Sequence, residues 1–315
     1  MRLHFELDSL DTWHRRDIEE QLAASAARAT NARLADSAAD ADVIVSLQAL
    51  KSTDPLLTLL RAPEPRHLVW SGDDQPAGIE GGLYCSLPRA LFDAERHQTF
   101  CYPLTYNELV RPYDVSDARV LFSFVGGITS GVRARMAKLR ELTSADGEFV
   151  VRSGPWSAML DRSGLSIKAA FAESLRRARF ILCPRGNGVG SIRLFEAMEA
   201  GRVPVIISDQ YVLPRGIDWS ACSLRIQEKD IDGTQQELTK HLDRWPEMAK
   251  AARQAWEEHF SPSVRIDAIA RRVSTLARPA PGRRRGRLVM YVAAGAARRR
   301  AGWLWSLLRR RSAGP

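Results

Sequence analysis

The chain reads FILCPRGNGVGSIRLFEAMEAGRVPVIISD from residue 180 to residue 209. An apolar run leads into a glycine-rich loop, a helix-like segment starts at Ser191, and a second apolar run follows. This order of strand, loop, helix and strand is typical of one βαβ unit. Arg185 and Arg193 lie beside backbone N–H groups at the loop and helix start, where anions are favoured. The stretch therefore predicts a phosphate site at the edge of a parallel sheet.

The same stretch carries a set of short motifs that resembles a known family, the exostosins of glycosyltransferase family 47. The resemblance covers roughly residues 119–232. It implies an α/β protein of the GT-B fold, in which two Rossmann-like domains face a cleft. It also implies inverting sugar transfer from a nucleotide donor without a bound metal. The matching residues are Cys183-Pro184-Arg185-Gly186, Ser191, Arg193, Glu196-Ala197, Gly201, Pro204-Val205 and Ser208-Asp209.

The donor-binding residues are expected around this motif and at one earlier loop. Arginines bind phosphate bidentately, a hydroxyl at a helix start can join them, and a carboxylate suits ribose hydroxyls. For Glu196 an ion pair with Arg193 is the alternative, for Asp209 a helix or loop cap, and for Arg133 a solvated helix face. The expected residues are Arg133, Arg185, Gly186, Ser191, Arg193, Glu196 and Asp209.

The catalytic base is expected from the first domain, at a strand end facing the cleft. Asp73 and Asp74 follow the predicted strand that ends at Trp70 and meet this requirement. The alternative is an exposed turn, since Gly-Asp-Asp-Gln-Pro is ordinary turn composition. A metal site is not expected, because the Asp40-Ala41-Asp42 spacing precedes its strand instead of following it. No cofactor is expected beyond the nucleotide-sugar co-substrate.

Alternating apolar runs and helical patterns predict parallel sheets in two domains. Residues 1–110 form the predicted N-terminal acceptor-side domain, and residues 119–277 the C-terminal nucleotide-sugar-binding domain. A helix is predicted over residues 54–61, and residues 233–276 are predicted to be helical with a break at Trp245-Pro246. Residues 262–277 are expected to cross back to the first domain, as the last helix does in this architecture. Other predicted helices are Asp11–Ala29, Val132–Leu142 and Leu165–Arg177.

Residues 278–315 form a predicted basic amphipathic tail. They hold eleven Arg and no acid, so the net charge of +9 leaves −2 on the other residues. A nucleic-acid-binding face on the folded body is therefore not indicated. The arginine triplets bracket apolar runs containing Trp303 and Trp305, which suit the surface of an anionic membrane. The alternatives are a disordered tail that binds polyanions and a helix docked on the protein body.

The expected partners are a nucleotide sugar, a glycan or lipid-linked acceptor and an anionic membrane surface. The function expected from the resemblance is inverting, metal-independent sugar transfer in bacterial polysaccharide assembly. A fucosyltransferase-like GT-B enzyme and a catalytically inactive nucleotide-sugar or glycan-binding protein are the alternatives. Four cysteines without paired spacing and a charged start indicate a cytoplasmic protein, peripheral on the inner face of the plasma membrane.

Overall fold

The structure is a computed structural model of the chain. It describes residues 1–7, 12–48, 66–104, 107–139, 146–152 and 165–277. The predicted helix over residues 54–61 and the predicted tail over residues 278–315 lie outside these ranges.

The first sheet is parallel throughout and has the strand order β2-β1-β3-β4-β5-β6. Its alternation of apolar runs with helical segments explains the parallel pairing, since parallel neighbours need crossover connections. The strands are β1 (Arg2–Glu6), β2 (Arg33–Leu34), β3 (Val43–Gln48), β4 (His67–Ser71), β5 (Gly82–Tyr84) and β6 (His97–Thr99).

The second sheet is also parallel and has the order β11-β10-β9-β7-β8. Its central strands are buried on both faces, which explains why they read as unbroken apolar runs. The strands are β7 (Val120–Gly126), β8 (Gly147–Val151), β9 (Ala178–Pro184), β10 (Val203–Ile207) and β11 (Leu224–Arg225).

The helices of the described residues cover the faces of these sheets. None of them combines the length and the apolar character that crossing a bilayer requires. They are α1 (Thr12–Ala26), α2 (Gly131–Met136), α3 (Leu165–Arg177), α4 (Ile192–Glu199), α5 (Trp219–Cys222), α6 (Thr234–Thr239), α7 (Trp245–His259) and α8 (Arg265–Val273). Short 3-10 helices lie at Arg89–Leu91, Val115–Asp117, Glu228–Gly233 and Pro262–Val264.

The predicted break at Trp245-Pro246 is present but lies slightly earlier, at residues 240–244. Helix α7 begins at Trp245, and Pro246 occupies its first turn. Proline is tolerated there because the N–H that it lacks has no partner inside the helix. The chain leaves helical geometry before Trp245 and again around Phe260-Ser261, ahead of the 3-10 turn at Pro262.

The last helix crosses back to the first domain, as expected. Asp267 on α8 accepts backbone N–H bonds from Thr30, Asn31 and Ala32 at 2.9 to 3.0 Å. The main hydrophobic cluster also joins the two halves, since it contains Leu3 and Trp70 together with Ile181 and Phe195. The predicted GT-B organisation of two Rossmann-like sheets is therefore confirmed, with a shared core between them.

Arg202 fixes the segment that connects the two sheets. Its side chain is fully buried and donates to five backbone carbonyls, among them those of Tyr113 and Asp114 in the connecting segment and those of Leu175 and Arg176 at the end of α3. One buried guanidinium thus joins carbonyls of the connecting segment to carbonyls at the end of α3. The connecting segment is thus held against the second domain.

Candidate active site

The site forms where the strand order of the second sheet reverses. Strands β7 and β9 are neighbours, although β8 comes between them in the chain. Open α/β sheets bind ligands outside the carboxyl ends of strands at such a switch point. The loops that follow Gly126 and Pro184 both start at this edge, so the two glycine-rich segments meet there.

Helix α4 begins at this edge with an unused capping group. Ser191 is its N-cap residue, but its side chain makes no capping hydrogen bond. The hydroxyl is buried and has no hydrogen-bond partner among the described residues. A buried hydroxyl without a partner at a helix start suits an anionic ligand, because the first N–H groups of a helix attract anions.

Arg193 lies in the first turn of α4 and is anchored on a backbone carbonyl. Its Nε and Nη2 donate to the carbonyl of Val125 at 3.0 and 2.7 Å. Its Nη1 makes no hydrogen bond to the described residues. Loss of hydration on burial lowers the pKa of Arg193. The edge of the guanidinium that carries Nε and Nη2 is therefore fixed, while Nη1 can still donate hydrogen bonds to a ligand.

Arg133, on α2, lies beside Arg193 but is fully engaged. Its Nη1 donates to Gly127 at 3.1 Å, and its Nε and Nη2 donate to Pro184 at 3.4 and 3.1 Å. The residue is 6% exposed, so the alternative of a solvated helix face is wrong. Burial, followed by repulsion from Arg193, lowers its pKa to about 9.

The two guanidinium groups share one aromatic ring and lack carboxylate partners. The Cζ atoms of Arg133 and Arg193 lie 5.5 and 5.1 Å from the centre of the Phe124 ring. Neither arginine forms an ion pair within the described part of the chain. Two neighbouring cations without an ion-pair partner favour a positive potential at the sheet edge.

Gly126 permits the approach of Arg193. A Cβ atom at residue 126 would lie 2.3 Å from Nη2 of Arg193. Such a separation is impossible, so any side chain there would displace the guanidinium.

Arg185 is committed to a carboxylate instead. Its Nε contacts Glu228 Oε1 at 2.8 Å. Asp209, which is exposed, accepts a bond from the backbone N–H of Glu228 at 3.1 Å. It thus caps the start of the 3-10 helix at Glu228, the cap expected as its alternative role. Gly186 lies near Arg133, whose Nη2 would be 3.2 Å from a Cβ there.

Glu196 is a buried carboxyl one turn into α4. It is 8% exposed, and its carboxylate forms no ion pair or hydrogen bond with the described residues. Burial raises its pKa to about 7 although Arg193 opposes the shift. The alternative of an ion pair between Glu196 and Arg193 is therefore wrong, and the carboxyl can accept hydrogen bonds from a ligand.

Asp73 and Asp74 lie where the first domain meets the glycine-rich loop of residues 186–190, here called the donor loop. Asp73 Oδ1 accepts from the backbone N–H of Gln75 at 2.9 Å, which makes a local turn. Gln75 in turn reaches the carbonyl of Asn187 across the cleft at 3.1 Å. Burial and then Asp73 raise the pKa of Asp74, while Tyr102, Arg133 and Asn187 act against this rise. A half-buried carboxyl with a raised pKa is typical of a proton acceptor in an active site.

Three contributors to the site were assigned no role in it from the sequence. Ser86 is buried, donates to the carbonyl of Asp74 at 3.0 Å, and accepts from the N–H of Gly190 at 2.9 Å. Phe124 reads as one more apolar strand residue, and Glu228 belongs to a segment, Glu228–Ile231, that only continues the family resemblance. Only the spatial pairing of distant segments reveals their contacts.

The described residues contain no group of three or more His, Cys, Asp or Glu side chains that could hold a metal ion. The four cysteines are buried and free. Metal independence stays a prediction.

Comparison with known protein families finds a match in the middle of the chain. The exostosin GT47 domain matches residues 103–241. An exostosin-1 homolog of Caenorhabditis elegans is 40% identical over 62 residues, which are 19% of this chain and 16% of that protein. Human exostosin-2 is 32% identical over 103 residues, 32% of this chain and 14% of that protein. The chain thus aligns with a small part of these relatives' length.

Solved structures give a looser similarity. The Anabaena protein HepE in complex with UDP has a TM-score of 0.45 and 10% identity, over 88% of this chain and 100% of that one. MurG of Acinetobacter baumannii has a TM-score of 0.39 and 14% identity, over 86% and 99%. The motif around Cys183, the switch-point site and the family match agree, and residues 103–241 of this chain are similar to the exostosin GT47 domain.

Proposed function

We propose that this chain is an inverting, metal-independent glycosyltransferase. It moves a sugar from a nucleotide-sugar donor to a glycan or lipid-linked acceptor in bacterial polysaccharide assembly. The observation that carries the proposal is the pair of arginines, Arg133 and Arg193, that lie at the switch point of a GT47-like domain and form no ion pair with the described residues.

The donor diphosphate binds at the start of α4. Arg193, the hydroxyl of Ser191 and the first helix N–H groups lie within the first turn of α4, and neither Nη1 of Arg193 nor the hydroxyl has a partner among the described residues. Arg133 contributes only its positive charge, because its N–H donors are already bound to backbone carbonyls. Glu196 accepts hydrogen bonds from ribose hydroxyls, and Arg185 joins the diphosphate by exchanging its bond with Glu228.

Transfer proceeds as one displacement at the anomeric carbon. The acceptor oxygen forms a bond to this carbon while the bond to the diphosphate oxygen breaks, and Asp74 takes the proton of the acceptor hydroxyl. The diphosphate leaves with the electron pair of the broken bond, and its new charge is stabilised by Arg193, Arg133 and the dipole of α4. Such a fixed positive site performs the electrostatic role that a metal ion has in other transferases.

A nucleotide panel tests the donor assignment. Thermal unfolding is measured with UDP, GDP and CDP, since a ligand at about 100 times its Kd adds about 2.7 kcal/mol of stability. The stabilising nucleotide then selects the sugars for a transfer assay with and without EDTA. We expect transfer that EDTA does not change and a product of inverted anomeric configuration. Loss in EDTA that Mg²⁺ or Mn²⁺ restores contradicts metal independence.

The same assay separates the alternatives. Binding without transfer or hydrolysis indicates an inactive nucleotide-sugar or glycan-binding protein. Stabilisation by GDP together with fucose transfer indicates the fucosyltransferase-like alternative. No stabilisation by any nucleotide contradicts the donor site itself.

We also propose that residues 278–315 hold the enzyme on the inner face of the plasma membrane, beside a lipid-linked acceptor. The support is the sequence alone, in which arginine triplets bracket short apolar runs with two tryptophans. Sedimentation with vesicles containing anionic lipid tests it. Full-length protein is expected in the pellet at physiological salt and the chain lacking residues 279–315 in the supernatant. Full-length protein in the supernatant contradicts the proposal.

A further inference from the structure

A tyrosine from the end of the first domain lies between the Asp74 carboxyl and the donor loop. Tyr102 is 8% exposed, and its hydroxyl donates to Oδ1 of Asp74 at 3.4 Å. A Cβ atom on Gly190 would lie 3.2 Å from the same hydroxyl oxygen. The Tyr102 ring packs edge-on against Phe195 of α4, with ring centres 6.4 Å apart.

Asp74 is therefore held from two sides by groups that also contact the donor loop. Ser86 binds the backbone carbonyl of Asp74 and the N–H of Gly190, while Tyr102 binds the carboxyl group. Close approach is possible because residues 188 and 190 lack side chains. A Cβ atom on Gly188 would lie 2.0 Å from the carbonyl oxygen of Asp74.

We propose that Tyr102 is a positioning residue that holds the Asp74 carboxyl toward the acceptor hydroxyl and ties its position to the donor loop. This inference rests on the proposed function in that it takes Asp74 as the proton acceptor. Tyr102 itself contacts neither sugar nor diphosphate in this role. Its effect reaches the reaction through the orientation and charge of Asp74.

The hydrogen bond has a measurable electrostatic consequence. A donor to a carboxylate favours the charged form, so removing it raises the pKa of Asp74 further above its usual value. The other groups that face Asp74 stay in place when Tyr102 changes. They are Asp73 on the same loop, the Cys85 thiol, Arg133 on α2 and Asn187 on the donor loop.

The test is the pKa of Asp74, followed by carboxyl ¹³C NMR in the full chain and assigned with Asp74→Asn. Tyr102→Phe is expected to raise this pKa by about half a unit, which lowers the ionised fraction about threefold on the acid side. Tyr84→Phe is the matched control. It removes a buried hydroxyl that donates to the carbonyl of Glu80 at 2.8 Å, and it should leave the pKa of Asp74 unchanged.

A second substitution keeps the proposal testable if the Tyr102→Phe variant does not fold. Site-specific 3-fluorotyrosine at residue 102 makes the hydroxyl a stronger donor with little change of shape, so the pKa of Asp74 should fall. An unchanged pKa of Asp74 with phenylalanine and with fluorotyrosine overturns the proposal. Equal shifts in the Tyr102→Phe and Tyr84→Phe variants overturn it as well.

The pH dependence of kcat/KM is a second measurement, independent of the NMR titration of Asp74. If Asp74 is the base, the acid limb of kcat/KM moves with its pKa in the Tyr102→Phe variant. The NMR measurement needs no transfer activity, so absence of transfer with every nucleotide sugar counts against the proposed function alone. A shifted pKa beside an unshifted acid limb overturns the role of Tyr102 in catalysis.

Discussion

Arg133 and Arg193 are both arginines after a glycine-rich loop, and only their hydrogen bonds distinguish them. Arg133 places all three guanidinium nitrogens on carbonyls, whereas Arg193 leaves Nη1 without a partner among the described residues. A bound guanidinium supplies charge, while a partly free one can also grip a phosphate. Arg193 is therefore the residue whose loss should affect transfer most directly.

Arg193→Ala should lower the transfer rate by about 10²–10³, the usual cost of one charge-stabilising donor. Some stability is lost as well, because the carbonyl of Val125 loses its partner. Arg193→Lys should recover little, because one ammonium cannot hold that carbonyl and reach a phosphate at once.

The rates are measured beside Arg244→Ala, which removes an exposed arginine ahead of α7. That control should transfer like the wild type. A folded Arg193→Ala protein within about threefold of wild-type activity removes Arg193 from the site.

Gly126→Ala should reduce transfer although it changes no polar group. The new methyl group would lie 2.3 Å from Nη2 of Arg193, so the guanidinium must leave the carbonyl of Val125. Gly131→Ala is the matched control, since a Cβ at residue 131 meets nothing within 4 Å. Transfer kinetics and thermal unfolding of both variants test this. Equal activity of the two shows that Arg193 tolerates the displacement.

At the scale of elements, α4 combines the free capping site with a buried carboxyl. Ser191 and Glu196 lie on the same short helix, whose buried face packs against the sheet. Burial of this hydroxyl and this carboxyl without hydrogen-bond partners among the described residues costs free energy, which a helix with a purely structural role would avoid. Its stability should depend on pH for this reason.

The pKa of Glu196 is raised from its ordinary 4.5 to about 7, first by burial and against the attraction of Arg193. Between these two values the unfolded chain releases the proton while the folded chain keeps it. The contribution of Glu196 to stability is therefore full below about pH 4.5 and falls as the pH rises toward 7.

Urea unfolding of wild type and Glu196→Gln at about pH 5 and about pH 8 measures this dependence. The glutamine variant should gain stability relative to wild type at the higher pH. Glu247→Gln, at an exposed position of α7, should show no such gain. The same pH dependence in wild type and Glu196→Gln would contradict the assignment.

The local sequence pattern predicted most of the helices and strands. It predicted few of the side-chain contacts between them. Helix α3 ends at the predicted Arg177, because its apolar residues repeat with helical period up to the strand that follows. The motif also identified Ser191 and Arg193 correctly as neighbours at one loop. The ion pair of Arg185 with Glu228 joins residues 43 positions apart, and no local pattern encodes it. The contact of Asp74 with Tyr102 likewise depends on the packing of two loops.

At the scale of the whole molecule, the two sheets share a hydrophobic cluster and the last helix fastens them. Asp267 accepts four hydrogen bonds from Thr30, Asn31 and Ala32, at 2.9 to 3.1 Å. Burial alone would raise the pKa of Asp267, but these bonds hold it below its usual value. The first sheet thus depends on a carboxylate from the far end of the chain.

Asp267→Asn should destabilise the protein by about 2–4 kcal/mol, because an amide places N–H groups against backbone N–H donors. Denaturant unfolding measures the change. Asp243→Asn, at an exposed position, is the control and should stay near wild type. A difference below about 0.5 kcal/mol between the two variants would show that these bonds contribute little.

The same carboxylate has a consequence for the order in which the molecule is made. Ala32 and Asp267 are 235 residues apart, so a ribosome must continue for roughly 10–50 s after the first before it adds the second. Until then the loop at Thr30 has no cap, and Phe100 lacks the ring of Phe260 that lies 5.9 Å from it. The first sheet therefore emerges before the second sheet and is completed only after it. A nascent chain would have to protect this unfinished apolar surface throughout synthesis.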